Sequence, residues 1–483
     1  MGLKKNVIYS GFLTTSLYIF QFITYPYVAR VLGVTNIGIC NYVQSIVNYF
    51  NLFAMLGISI LGVREIAKSK DDPKTLNETF SKLFILNACF TFSVLLIYLI
   101  LINCISQLSE YKQLLYIGAS QILFNLFAVE WLFRGLEDFK YITIRTMVVR
   151  SLYVVCVFLF VHNSSDYYLY FLIYSGMVVA NAVINWNYGR KFVKLSLQSI
   201  SGIKKYIKPF IYLGSQLVLI SVYTTFNTVY LGATCGDVQV GYYTTATKIE
   251  NIILALYSSF TMVMMPRISA MMESNNLDAV KRKMSQSFDL LFAFVFPCIF
   301  FAEFYAEEIV YLVAGHGFEG AIKPMKIVMP LMLVVGIEQI LIVQILTPMR
   351  KDRQVFMNSL FGAICSIVLN ILIVPSLKST GSAIVWMFCE LVVLLSAYIF
   401  VKRSFPELHF IKKLIIHAAF FAPLILCYFI IAEFENNHWL MFFVAFFMTL
   451  LYSHMALKYL IKNISYTTFT NSFIKRIIKK QNE

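Results

Sequence analysis

The chain has 483 residues, of which 59% are apolar and only 13% are charged. Soluble domains carry about 25% charged residues, so this composition cannot cover a water-exposed surface and argues against a soluble enzyme. Mean hydropathy is +0.72, and apolar runs of roughly 20 residues recur along the chain. The sequence therefore predicts an all-α integral membrane protein. A β-barrel is disfavoured because the apolar runs are continuous and do not alternate.

The net charge of +15 follows the predicted loops. Fourteen apolar spans lie between residues 8 and 461, and the basic content of the connecting loops alternates. One side holds 34 of the 40 Lys and Arg residues, Arg145 and Arg150 among them, the other side holds five, and Lys248 lies within a span. Basic loops stay in the cytoplasm, so both termini are predicted to be cytoplasmic. The basic balance therefore indicates topology and requires no nucleic-acid partner.

Motifs for metal, cofactor or nucleotide chemistry are not predicted. The nine cysteines form no CxxC pair and read as apolar packing residues, and the six histidines show no metal-ligand spacing. The segment 315–320 matches GxGxxG literally, but a dinucleotide site needs a soluble βαβ unit that a loop between spans cannot supply. No P-loop is present. The first span lacks a cleavage site, so no removable signal peptide is predicted.

The chain repeats itself at an offset of 203 residues. Spans 1 and 7 are separated by an even number of helices, which predicts two parallel repeats related by an axis along the membrane normal. The matched features are Gly38 with Gly241, segment 45–48 with segment 248–251, and Arg64 with Arg267.

Four motifs in chain order resemble those of polysaccharide flippases, the O-antigen or Wzx-type members of the multidrug/oligosaccharidyl-lipid/polysaccharide superfamily. The resemblance covers about residues 5–400, and the last two spans fit by hydropathy only. Asn227 stands where many relatives carry an acidic residue. The motifs are YPYVARVLG at 25–33, WLFRGLEDFKY at 131–141, GYYTTATK at 241–248 followed by PRIS at 266–269, and NILIVP at 370–375 followed by GSA at 381–383.

The resemblance implies a fold of fourteen transmembrane helices. Two pseudo-symmetric six-helix bundles, residues 1–200 and 201–403, would face each other as a V, and residues 404–483 would add two peripheral helices and a basic tail. It implies a bacterial cytoplasmic membrane protein that flips an undecaprenyl-diphosphate-linked oligosaccharide, with polysaccharide polymerase machinery as a partner. The diphosphate is anionic and the sugar polar, so a cationic, polar cleft is expected within the bilayer.

Four basic residues are candidates for contact with the diphosphate. Lys248 lies about seven residues inside the eighth predicted span, where an ammonium should face a cavity or pair locally with Glu250. Arg64 and Arg267 end equivalent spans and could bind a diphosphate bidentately, or extend to the membrane surface as helix-end arginines commonly do. Arg30 lies near the outer face and could receive the diphosphate late, or cap its helix.

Carboxylates and amides within spans form the remaining candidates. Carboxylates there suggest coupling to an ion, or structural pairs. Amides suggest contact with sugar hydroxyls, although they more often join helices. The carboxylates are Glu130, Glu250, Glu338 and Glu390, and the amides are Asn48, Asn227, Asn251 and Gln216.

The leading interpretation is a lipid-linked oligosaccharide flippase that makes and breaks no covalent bond. A lipid II flippase and a multidrug or cation antiporter of the same superfamily are the transporter alternatives. An O-antigen polymerase or glycosyltransferase is the alternative from another class, but such enzymes carry large extracytoplasmic loops or catalytic domains, and every loop here is short.

Overall fold

The computed structural model describes residues 3–196, 202–274, 276–406, 410–434 and 437–461. Within these ranges the backbone is helical apart from short connections, and the predicted basic tail beyond residue 461 lies outside them. The α-helices are α1 (Leu3–Met55), α2 (Ile58–Ser69), α3 (Pro73–Cys104), α4 (Lys112–Ala128), α5 (Glu130–Gly135), α6 (Phe139–Phe160), α7 (Tyr167–Gly189), α8 (Lys204–Cys235), α9 (Asp237–Glu273), α10 (Leu277–Phe304), α11 (Ala306–Val313), α12 (Ile322–Val328), α13 (Leu331–Gln339), α14 (Asp352–Ser404), α15 (Ile411–Phe421), α16 (Pro423–Phe434) and α17 (His438–Met455).

Twelve helical segments of the described residues are long and apolar enough to cross a bilayer. Two of them, Ile19–Ser69 and Asp352–Ser404, contain 51 and 53 residues, which is about 77 and 80 Å of helix. Each could cross a hydrocarbon core of about 30 Å twice. The long helices break at Gly33 (φ 73°) and at Lys378 (φ 53°). The predicted all-helical class is confirmed, while the number of fourteen spans stays a prediction.

The exposed faces of these helices are strongly apolar. Leu372 of α14, Leu426 of α16 and Phe447 of α17 are 69%, 66% and 66% exposed, and many other large apolar side chains share this property. Water-soluble monomers rarely expose contiguous apolar surface of this extent. These faces are therefore suited to contact lipid.

Packing divides the chain into two compact units. The first comprises Met1–Thr245, Val313–Ala321 and Gly362–Cys389, and the second comprises Ala246–Leu312, Ile322–Phe361 and Glu390–Glu483. These limits follow packing, whereas the predicted division at residues 200 and 403 follows the sequence repeat. That division stays a prediction.

In the first unit, α1 packs against α3, α4, α6 and α8, and α4 packs against α7. Aromatic side chains fill its core at one end. Phe80 stacks on Trp131 with 5.4 Å between ring centroids, and Phe84 lies 5.0 Å from Trp186. Rings at these separations add attraction beyond the apolar area that they bury. The cluster fixes α3, α5 and α7 relative to one another.

The closest approach of α1 and α9, within the first unit, involves the two glycines of the repeat. A Cβ atom on Gly38 would overlap the Asp237 carbonyl oxygen, and one on Gly241 would overlap the Val34 carbonyl oxygen. Three residues further along, Asn41 Nδ2 donates a hydrogen bond to Thr244 Oγ1 at 2.8 Å. Equivalent residues meet when they lie beside a two-fold axis. Contacts at the repeat offset of 203 residues therefore agree with parallel repeats.

In the second unit, α10 packs against α13, α15, α16 and α17. The C-terminal helices are joined to it by an ion pair of 2.6 Å between Lys413 Nζ and Asp289 Oδ2. Tyr428 packs edge-on against Phe301 and at an angle against Phe304 of α10. The two C-terminal helices, which the resemblance implies to be peripheral, thus pack on α10 of this unit.

The glycine contact leads to a stability prediction. Gly38→Ala should lower the free energy of unfolding by about 1–3 kcal/mol, because the methyl group meets backbone that cannot move aside. Gly176→Ala on α7 is the matched control, since nothing lies within 4 Å of its added Cβ, and Ala favours a helix over Gly. Thermal unfolding of the purified proteins in detergent measures both. Equal midpoints for the two variants would contradict the contact.

Candidate functional site

Three of the four predicted intramembrane carboxylates come together in the second unit. Glu250 lies on α9, Glu338 on α13 and Glu390 on α14. Glu250 is fully buried and Glu390 is 5% exposed. Glu390 acts electrostatically on both other carboxyl groups. The positions are far apart in sequence, so only the packing of three helices brings them together.

The carboxyl groups of this cluster are buried with few partners. The side chains of Glu338 and Glu390 lie close enough to interact with each other. Both oxygens of Glu250 and Oε2 of Glu338 are buried with no hydrogen-bond partner among the described residues. An ionised carboxylate is unfavourable in such surroundings. The cluster is therefore suited to bind protons inside the membrane.

Neutral polar side chains of α13 and of the turn that follows it hydrogen-bond to α9 and α10. Gln339 Nε2 donates to Ser258 Oγ at 2.9 Å, and Ser287 Oγ donates to Gln344 Oε1 at 2.9 Å. A π-helical turn, Ile340–Leu346, directly follows α13 and contains Gln344. Such turns occur often at functional sites, because the wider turn redirects the following side chains.

Glu130, the fourth predicted carboxylate, belongs to the first unit and has a different environment. Its Oε1 accepts a bond of 2.7 Å from Arg145 Nη2, and its Oε2 lies 3.4 Å from Arg134 Nη2. Arg145 is buried and also donates to Asn181 Oδ1 at 2.7 Å. The geometry is that of a structural ion pair, the alternative that the sequence left open.

The loop that follows α5 is folded onto the first unit. Tyr141 stacks on Tyr188 of α7 with 3.7 Å between centroids, and Tyr188 donates a hydrogen bond to Asp138 Oδ2 at 3.0 Å. Lys70 Nζ lies 2.9 Å from Glu137 Oε1, and this hydrogen bond raises the pKa of Lys70. The motif at residues 131–141 therefore joins helices through its aromatic and acidic side chains.

The predicted basic residues differ in their surroundings. Lys248 is half-buried and lies eleven residues after the start of α9, about 16 Å along the helix and deeper than the seven residues expected. Arg267 is exposed on the same helix, with no bonding partner among the described residues. Arg64 is exposed on α2, with its Nε 3.2 Å from Glu65 Oε1.

Arg30 packs beside the glycine-containing loop of its own unit. Its Nη1 donates to the Pro26 carbonyl at 2.9 Å, and its Cγ lies 3.0 Å from the position that a Cβ on Gly315 would take. Gly315 and Gly317 both adopt positive φ angles of 87° and 89°, which glycine allows without strain. The GxGxxG match is thus a compact turn against Arg30.

The predicted amides are largely engaged by the protein. Asn227 is fully buried, and its Nδ2 donates to Tyr243 Oη at 3.0 Å and to the Ser382 carbonyl at 2.9 Å. Asn48 accepts a bond of 2.8 Å from Gln44, and Asn251 donates to the Thr247 carbonyl at 2.7 Å. Asn48 and Asn251 keep exposed side chains, and Gln216 is half-buried. These three remain available to a substrate.

The charge count assigns Arg145 and Arg150 to the cytoplasmic side, although the fifth predicted span, residues 142–162, contains both, and α6 contains both. The helix begins after Asp138, which accepts a hydrogen bond from the Tyr141 amide, so both arginines lie inside it. Among the described residues, no three His, Cys, Asp or Glu side chains are arranged to hold a metal ion.

Apolar spans, a buried carboxyl cluster and intramembrane cations together define a polytopic helical membrane transporter. The family model described as Polysaccharide biosynthesis protein matches residues 3–272, more than half of the chain, and the chain belongs to this family.

Curated relatives match most of the chain. The "Putative O-antigen transporter" of Escherichia coli (strain K12) is 23% identical over 411 residues, which covers 84% of this chain and 98% of the relative. A protein of the same name from Shigella dysenteriae is 25% identical over 277 residues, covering 55% of this chain and 67% of the relative. The resemblance predicted from the motifs is confirmed.

Solved structures share the fold. The lipid II flippase MurJ in an inward closed conformation superposes with a TM-score of 0.79, 13% identity, and coverage of 97% of this chain and 100% of that chain. An outward-facing multidrug resistance MATE family transporter of the MOP superfamily superposes with a TM-score of 0.58 and 13% identity, and the match covers 83% of this chain and 95% of that chain. The relatives bear names of transporters and flippases, in agreement with the expectation that this chain transports and does not catalyse.

The Glu130–Arg145 pair leads to a prediction. Glu130→Gln should lower the free energy of unfolding by about 1–3 kcal/mol, because the buried Arg145 loses its carboxylate. The value lies below that for fully buried pairs, since the Glu130 side chain is 38% exposed. Thermal unfolding measures the effect, and a double-mutant cycle with Arg145→Met measures the coupling. A coupling near zero would mean that the pair contributes nothing.

Proposed function

We propose that the chain is a flippase of the bacterial cytoplasmic membrane, which moves a polyprenyl-diphosphate-linked oligosaccharide from the cytoplasmic to the outer leaflet by alternating access. Family membership supports this, as does the curated Escherichia coli relative, 98% of which is covered. The fold likeness to a lipid II flippase supports the same general class of substrate. Transport is needed because a sugar diphosphate cannot cross hydrocarbon unaided.

The carboxyl cluster of Glu250, Glu338 and Glu390 supports protons as the coupling ion. Glu338 and Glu390 lie close to each other, and Glu250 has two buried oxygens without hydrogen-bond partners among the described residues. Release of a proton would leave adjacent negative charges in a low-dielectric site, where their repulsion is strong. Helices α9, α13 and α14 would then separate or admit water. Protonation thus favours one arrangement of the three helices, which is how a proton gradient can drive alternating access.

Basic residues supply the proposed contacts with the diphosphate. Lys248 lies deep in α9 and Arg267 lies 19 residues further along the same helix, about 28 Å away. One diphosphate cannot contact both, so we assign them to different stages of transport. Arg64 and Arg30 are proposed to act at the two ends of the path. Lys248 is the strongest of the four because an ammonium in mid-helix is costly without a function.

Complementation tests the function. The gene would be expressed in a strain that lacks its own O-antigen flippase and supplies lipid-linked repeat units, and surface glycan would be measured. Restored glycan supports the proposal, and Lys248→Ala should abolish it at unchanged membrane abundance. Rescue of lipid II export only, or drug resistance without glycan export, would instead identify one of the two alternative transporters.

Coupling is tested in proteoliposomes with an imposed proton gradient and a fluorescent lipid-linked oligosaccharide. Glu250→Gln, Glu338→Gln and Glu390→Gln should each reduce gradient-driven transport at least about tenfold, because an amide cannot release a proton. Stability should hardly change, since an amide resembles the protonated carboxyl group that it replaces.

Glu433→Gln on α16 is the matched control, because this carboxylate is exposed on the same unit and should transport normally. Wild-type rates in all three cluster variants, together with rates insensitive to a protonophore, would contradict proton coupling. Flipping itself would remain supported by complementation.

A further inference from the structure

Arg150 lies in the interior of a membrane-spanning helix. It lies eleven residues after the start of α6, a helix of 22 residues, and so about 16 Å from either end. A helix of this length just spans a bilayer core. The backbone of Arg150 therefore lies in the middle of a membrane span in the first unit.

Arg150 has no bonding partner in the described part of the chain, unlike the other arginine of α6. Its electrostatic neighbours are Tyr174, Tyr153, Glu130 and Arg145, but none is within bonding distance. Glu130 is already engaged by Arg145 and Arg134, at 2.7 and 3.4 Å. One carboxylate thus faces three guanidinium groups, and the positive charge of Arg150 is left uncompensated.

Tyrosines surround this charge. Tyr153 lies one turn further along α6, and its ring meets the edge of Tyr174 on α7 at 6.1 Å between centroids. Tyr170, one turn before Tyr174, is an electrostatic neighbour of Tyr153. All three tyrosines are half-buried.

Arg150 and the neighbouring tyrosines are chemically suited to bind an anion that carries polar groups. Arginine does not lose its proton in proteins, so its charge cannot be removed by burial. An uncompensated intramembrane charge is unfavourable and marks a functional position. The planar guanidinium binds phosphate oxygens bidentately, phenol hydroxyls donate to phosphate or sugar oxygens, and tyrosine rings offer flat faces to a sugar.

We propose that Arg150, with Tyr153 and Tyr174, binds the diphosphate and the adjoining sugar of the lipid-linked substrate midway across the membrane. The proposal rests on the proposed flippase function and assigns a place for the anionic head within the first unit. Arg150 is the residue that contacts the phosphate, and the two tyrosines hold the head in place.

Binding is tested with the full chain in lipid nanodiscs, using farnesyl diphosphate as the probe. Farnesol and inorganic pyrophosphate are the comparison ligands. The wild type should bind farnesyl diphosphate and be stabilised by it, with farnesol at least about tenfold weaker. Arg150→Met should lose the diphosphate preference, Arg150→Lys should keep part of it because the charge remains, and Tyr153→Phe with Tyr174→Phe should weaken binding less.

Stability of the empty protein separates a ligand contact from a structural role. Arg150→Met should keep or raise the thermal midpoint, because it removes an uncompensated charge. Arg145→Met is the matched control on the same helix and should lower the midpoint, because it leaves Glu130 without its closest partner. A fall in the midpoint for Arg150→Met comparable to that of Arg145→Met would overturn the proposal in favour of a structural arginine.

Two further outcomes have definite meanings. Unchanged affinity of Arg150→Met for farnesyl diphosphate overturns the assignment. Competition by inorganic pyrophosphate or chloride as strong as that of the probe also overturns it, because the site then binds any small anion. If complementation fails while Arg150-dependent diphosphate binding persists, the anion site stands and the flippase function falls. If complementation succeeds with Arg150→Met, the function stands and the site falls.

Discussion

Hydrocarbon offers an ionised side chain no water and almost no screening, so a charge inside a membrane span must be paired, neutralised by a proton or met by a ligand. This constraint explains why the chain carries so few charges and why most of its basic residues lie in predicted loops. The ionisable residues within the helices are exceptions to this pattern. The ionisable groups that remain within the helices are expensive to keep there, and their surroundings indicate why they are kept.

The ionisable groups within the helices have three kinds of surroundings. Glu130 and Arg145 neutralise each other at 2.7 Å and join α5 to α6. Glu338 and Glu390 lie beside a third carboxyl group, Glu250, whose oxygens have no hydrogen-bond partner among the described residues. Arg150 has no bonding partner among the described residues. The first arrangement stabilises the fold, the second is the proposed proton site, and the third is the proposed anion site.

The internal repeat connects this chemistry to the fold. Gly38 and Gly241 allow α1 and α9 to approach so closely that backbone meets backbone, and the Asn41–Thr244 hydrogen bond lies one turn away. The carboxyl cluster and Arg150 are not related by the same offset, and they belong to different units. The two repeats therefore share a framework while their functional groups have diverged. The proposed proton site and the proposed anion site accordingly belong to different units.

Sequence alone determined the fold class, the family and the carboxylates worth testing, because hydropathy, charge asymmetry and short motifs are local properties of the chain. It could not determine which carboxylates meet: Glu250, Glu338 and Glu390 come together by helix packing, whereas Glu130 is four residues from one partner and fifteen from the other. Hydropathy placed Arg150 within the fifth predicted span, whereas the charge count assigned it to the cytoplasmic side. Only the tertiary structure shows which tyrosines lie near it, since burial and partners depend on residues distant in the chain.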